Sequence, residues 1–177
     1  MTSARDIENY EKAYMDRKKD FALMRRNKRK VMSMYLGGIY LECLLKTVII
    51  KKNRIQKTIA AFEDRKRIIY WFSDLNYKKL QNIEKPEKID FRSFNNGFNP
   101  EHNLIVALKQ IDELYKNIPA EGIQRLEMLN RPINNQSFTS LRYTYDEQIP
   151  DDIYSEWEEN FLYFMNFFHR MKKTLRF

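Results

Sequence analysis

Glu42 and Lys46 stand one helical turn apart in the mostly apolar stretch from Met34 to Lys46. Apolar positions recur at Val31, Met34, Tyr35, Gly38, Leu41, Leu45, Val48 and Ile49, the three-and-four spacing of a helical face. A charged side chain in such a helix needs a partner or a purpose, because burying a lone charge is costly. The pair can neutralise itself at this spacing; alternatively, Glu42 can hold His102 or Arg142 from another element. His102 belongs to Pro100-Glu101-His102-Asn103-Leu104 and is expected in the first turn of a helix, where the dipole disfavours protonation. A neutral imidazole can accept a proton, which makes His102 a candidate general base. It can equally be a polar cap or a hydrogen-bonded core histidine. His169, among Phe167, Phe168 and Arg170, reads as structural.

The order of these pieces carries a likeness. A Tyr35-Leu36-Gly37-Gly38 step followed by Glu42-Cys43-Leu44-Leu45-Lys46, then His102-Asn103-Leu104, then Arg142-Tyr143, resembles the HEPN family of small helical prokaryotic proteins. The likeness runs from about Arg25 onward, broken by a long insert between the Lys46 helix and His102. It implies an all-α antiparallel bundle of four to five helices, commonly a homodimer, often acting on RNA in toxin–antitoxin, phage-defence or CRISPR-linked settings. A nucleotidyltransferase antitoxin is one partner it implies. Catalytic candidates are then His102, Arg142 and Glu42, with Arg142 or Arg92 brought to the histidine by folding. Such cleavage is metal-independent, by attack of a ribose 2′-hydroxyl on its neighbouring phosphate. Ribonuclease members carry an arginine followed a few residues later by a histidine, and this chain has no such pair. A non-catalytic interaction module is therefore the second reading.

Composition favours one domain. The 177 residues are 43% apolar, enough for a full core, and only 4 glycines and 5 prolines leave little material for a strand-and-turn fold. Glu42 and Lys46 interrupt the best candidate for a membrane span, and Met1-Thr2-Ser3-Ala4-Arg5-Asp6 does not look like a signal peptide. Cys43 is the only cysteine, so no intrachain disulfide can form, and a reducing compartment, the cytoplasm, is expected. Two distant histidines and one cysteine do not make a zinc site, and no glycine-rich phosphate loop is present. No metal and no cofactor is expected.

The formal net charge is +8, unevenly spread. Arg25, Arg26, Lys28, Arg29 and Lys30 form one basic block; Lys51, Lys52, Arg54 and Lys57, with Arg65, Lys66 and Arg67 beyond, form a second. Arg170, Lys172, Lys173 and Arg176 close the chain, while Asp146, Glu147, Asp151, Asp152, Glu156, Glu158 and Glu159 gather in an acidic segment. The first block, with Lys46, is the expected contact for RNA or another nucleic acid, since clustered cations release its counterions. The competing explanation is complementation of helix ends.

The spacing predicts helices over about 4–23 (capped by Thr2 or Ser3), 27–51, 99–118, 120–129 and 150–173. Residues 54–98 form the insert, with a further helix suggested by Ile55, Ile59, Phe62, Ile68, Ile69, Trp71 and Phe72. A loop from 83 to 99 carries Phe91, Phe94 and Phe98, expected to tuck onto the core. Asn99 is expected to cap the third helix, with Pro100 in its first position. Trp157, Phe161, Phe164, Phe168 and Met171 give the last helix an aromatic face wider than one neighbour needs, which points to several helices or a dimer interface.

Overall fold

The fold is built around one helix. A computed structural model of the chain describes residues 5–63, 66–83, 93 and 95–175; the side chains of Phe62 and Glu63 are outside that description. In chain order come β1 (Arg5–Asp6), α1 (Tyr10–Arg26), α2 (Lys30–Asn53), β2 (Ile55–Glu63), β3 (Lys66–Ser73), α3 (Asp74–Gln81), β4 (Gly97–Phe98), α4 (Leu104–Lys109), α5 (Asp112–Tyr115), α6 (Ala120–Asn130) and α7 (Asp151–Met171). Short 3-10 turns over Phe138–Tyr143 and Asp146–Gln148 lead into α7.

The all-α expectation fails. Among the described residues four strands form one antiparallel sheet in the order β1-β2-β3-β4, so the fold is mixed α and β. The expected helix of the insert is the hairpin of β2 and β3. Ile55, Ile59 and Phe62 have helical spacing, but Ile68-Ile69-Tyr70-Trp71-Phe72 is an unbroken β-branched and aromatic run. Such a run suits a strand covered on both faces, and both faces are covered here. Thr58 faces Trp71 and Ala60 faces Ile69 across the pair, on the side where Trp71 joins the main core. Ile59, Tyr70 and Phe72 lie on the other side, under Leu80 and Tyr77 of α3.

The 24 residues of α2 make a rod on the order of 36 Å at 1.5 Å per residue. Its length and apolarity would suit a membrane span, yet 83% of its most apolar window is buried inside the fold. Side chains added at its two glycines would collide with rings: Gly37 lies against Trp157 of α7, and Gly38 against Phe138. Arg54, in the left-handed region at φ 52°, ends the helix. Before it, α1 starts later than expected, at Tyr10. Asn9 accepts from the Lys12 amide at 2.9 Å, and Arg5–Asp6 join the sheet instead.

The expected 99–118 helix is broken into α4 and α5, and its cap moves. Asn103, not Asn99, accepts from the amides of Ile105 and Val106. The wide aromatic face of α7 is absorbed within one chain. Phe161 packs against Phe21 and Trp157 at centroid distances of 4.6 and 5.3 Å, and Phe164, Phe167 and Phe168 are buried. Of the two outcomes expected for that face, burial between several helices is the one seen within the chain. Phe98 is 39% exposed rather than tucked in; Phe91 and Phe94 lie outside the described residues.

Candidate functional site

Three ionisable side chains meet where α2 passes the loop before α4. On α2, Lys46 donates to Glu42 Oε1 at 2.6 Å, and both side chains are almost fully buried. The second carboxylate oxygen, Oε2, is 2.8 Å from His102 Nδ1. A buried pair holds together only when its remaining hydrogen-bonding capacity is met, and here both oxygens of Glu42 are engaged. The Lys46 ammonium also lies 4.9 Å from the centroid of the Tyr10 ring, a cation–π placement. Tyr10 in turn packs against Trp71 of the hairpin, 6.3 Å between ring centroids.

His102 differs from its partners in being open to solvent, with 59% of its side chain exposed. The turn before α4 fixes it. Asn99 Oδ1 accepts from the Glu101 amide at 3.0 Å, Glu101 sits at φ 53°, and the Asn103 amide donates to the Pro100 carbonyl. The buried Asn130 of α6 accepts from the Leu104 amide at 2.9 Å and anchors the start of α4. The imidazole stands edge-on to Phe138 at a centroid distance of 6.4 Å, and Phe138 fills the space left by Gly38.

These contacts reverse one expectation. His102 precedes the cap of α4 instead of sitting in its first turn. Its pKa is raised from the ordinary value, first by the hydrogen bond to Glu42 and against the effect of partial burial. The ring therefore keeps its proton to higher pH than a free histidine. With Nδ1 directed at the carboxylate, Nε2 is left to exchange a proton with a substrate, the division of labour of a carboxylate-oriented catalytic imidazole. Burial, helped by the Glu42 charge, pushes the Cys43 thiol up to about 11, so it is no nucleophile. For the same leading reason, burial, the Tyr10 phenol is held protonated well above its ordinary range.

Of the catalytic candidates, then, Glu42 and His102 come together and Arg142 does not join them. The Arg142 guanidinium lies 4.7 Å from the Tyr143 ring centroid and borders a surface cavity with Arg29 and Met32. Met32 is ten residues before Glu42 on α2, about 15 Å along the axis. Arg92 is outside the described residues, as are Arg65 and Arg176.

The first basic block is largely committed to the acidic segment. Arg25 pairs with Glu158 at 2.5 Å and Arg29 with Asp146 at 2.8 Å; Lys30 reaches Asp151 at 3.0 Å and the Ile149 carbonyl. Asp146 also accepts from the Val31 amide at the start of α2. Arg26 and Lys28 remain exposed. Lys46, expected among the nucleic-acid contacts, is buried beneath Tyr10. In the second block Lys51 pairs with Glu11, Lys52 with Glu113 and Lys57 with Asp6, whereas Lys66 and Arg67 are exposed on the hairpin. Sequence reasoning missed Tyr10 and Trp71 as neighbours of the triad. Both were visible only as apolar marks, and what joins them is the hairpin.

No protein-family model, no curated protein and no solved structure matches the chain.

Proposed function

We propose that this is an RNA-acting protein in which His102, oriented by Glu42, transfers protons at a ribose phosphate. The observation that carries the reading is an exposed imidazole held 2.8 Å from a buried carboxylate that a buried lysine already neutralises. The ion pair needs no third member for charge balance, so an exposed histidine on its outer side is an addition with a use. In the reaction, Nε2 takes the proton of the 2′-hydroxyl as that oxygen attacks phosphorus. The 5′-oxygen leaves and receives a proton from the same imidazolium, giving a 2′,3′-cyclic phosphate and a 5′-hydroxyl. The net charge of +8 and the likeness of the Tyr35–Lys46 stretch, His102-Asn103-Leu104 and Arg142-Tyr143 to HEPN proteins support RNA as the target. A toxin–antitoxin or defence setting is the one that likeness suggests.

Binding without cleavage is the second reading, and the position of Arg142 favours it. No described guanidinium contacts His102, so the stabilisation of the pentavalent phosphate is left to fewer groups. Incubating labelled single-stranded RNA with the protein in EDTA separates the two. Cleavage to cyclic-phosphate ends, lost in His102→Ala and reduced in Glu42→Gln, is the expected result. RNA that is bound and left intact refutes the proton-transfer role and leaves the binding module.

A further inference from the structure

The inner face of the sheet and the start of α1 diverge, leaving a cleft of about 430 Å³ that the triad does not use. Side chains alternate along a strand, so Arg67, Ile69 and Trp71 of β3 point the same way, toward this cleft. Arg5 of β1 joins them through its register with Thr58, which itself faces Trp71. Tyr10 and Glu8 close the helical side, and Asn99 a third. Lys57, the neighbouring cation, is spent on Asp6 at 2.6 Å. Arg5 and Arg67 are exposed, and their guanidiniums have no hydrogen bond or ion pair among the described residues.

We propose that this cleft binds a nucleotide, its phosphate between Arg5 and Arg67 and its base against Tyr10 and Ile69. The volume lies in the range of about 300–1,000 Å³ usual for small-molecule sites. Two unpartnered guanidiniums at one mouth call for an anion, and their fork geometry suits phosphate oxygens. A phosphate alone would leave the wall of Tyr10, Ile69 and Trp71 without a use, and an apolar ligand would face two charges. Glu8 and Asn99 add an acceptor and an amide for ribose hydroxyls and base edge. The nucleotide can be free or one residue of a single strand. The second source rests on the RNA reading above, the first does not.

Trp71 and Trp157 are the chain's two tryptophans, and Trp157 lies away from the cleft, against Gly37 and Phe161. Their two indole N–H signals in a ¹H–¹⁵N spectrum, assigned with Trp71→Phe, report the site. Titration with AMP and with UMP should move the Trp71 signal and leave that of Trp157 in place, while adenosine or inorganic phosphate at the same concentration does far less. Arg5→Gln and Arg67→Gln, both at exposed positions, should each weaken nucleotide binding about tenfold, the loss of one charge-assisted contact. Arg67→Lys should recover part of it. Stronger binding of an oligoribonucleotide than of AMP assigns the site to RNA, and the reverse assigns it to a free nucleotide. A Trp71 signal unmoved by millimolar nucleotide, or affinity unchanged in the double glutamine variant, overturns the proposal. His102→Ala should leave this binding intact, so loss of cleavage and loss of nucleotide binding are separate results.

Discussion

Replacing Glu42 by Gln tests the centre of the argument, because it removes one charge and little volume. In the folded protein the Lys46 side chain is only 4% exposed, and Glu42 is its anionic partner at 2.6 Å. Breaking a buried pair from one side leaves the other charge without compensation, which costs about 3–5 kcal/mol. The Tyr10 ring 4.9 Å away recovers part of that for the ammonium, on the order of 1–2 kcal/mol for a desolvated cation–π contact. A loss of about 1–4 kcal/mol in urea denaturation is therefore expected. Lys46→Met should cost a similar amount, and the double variant less than the two losses added, since no uncompensated charge remains. The same Gln should lower the His102 pKa, because the Glu42 hydrogen bond is the leading cause of its rise. His102 and His169 are the chain's two histidines, so the ring signals are readily assigned. If Glu42→Gln unfolds at the wild-type urea concentration, or the His102 titration stays where it was, the coupling described here is wrong.

The pH dependence follows in sign from the raised His102 pKa. The attraction between His102 and Glu42 should be fully present below the ordinary histidine value and fade as pH rises through the folded value, so wild type should lose a small increment of stability across that interval that His102→Ala lacks. Gly38→Ala should destabilise by about 1–3 kcal/mol in thermal or urea unfolding, because the new methyl meets the Phe138 ring. It should also shift the His102 ring signals, since that ring rests on Phe138. Neutralising Arg25, Arg29 and Lys30 together should leave the salt dependence of RNA binding nearly unchanged, their charges being met by Glu158, Asp146 and Asp151. Neutralising Lys66 and Arg67 should instead flatten the slope by about 0.7 per lost phosphate contact on a single strand. Cys43 should react with a disulfide reagent at pH 8 only on the timescale of unfolding, as its thiol is buried and its pKa is about 11.

The parts legible in the sequence are those fixed by local spacing. Helix α2 announces itself through an apolar run longer than any strand, and Glu42 and Lys46 are neighbours by helical geometry alone. That Glu42 holds His102 and not Arg142 could not be read from spacing, as Glu42 and His102 are 60 residues apart. The hairpin was hidden by ambiguity. Ile55, Ile59 and Phe62 fit a helical stripe, and the deciding signal, the β-branched and aromatic density of Ile68 to Phe72, lies in the partner strand. The basic block from Arg25 to Lys30 is incompletely legible for a different reason. Its acidic partners lie more than a hundred residues away, and charge clusters read along the chain do not show what folding sets against them.

The hairpin also changes what the site is. Trp71 packs on Tyr10, Tyr10 covers the ammonium of Lys46, Lys46 holds Glu42, and Glu42 holds the exposed ring of His102. Without the hairpin and the first turn of α1 it supports, the cationic end of the ion pair would face water, where such a pair contributes little. The hairpin therefore supports the histidine through this row of side chains. Trp71 also stands in the wall of the cleft proposed to take a nucleotide, as does Tyr10. A ligand that moves Tyr10 would alter the surroundings of Lys46 directly, and through Glu42 the proton affinity of His102. The cleft and the exposed imidazole are thus connected by a short row of packed, named side chains, each replaceable one at a time.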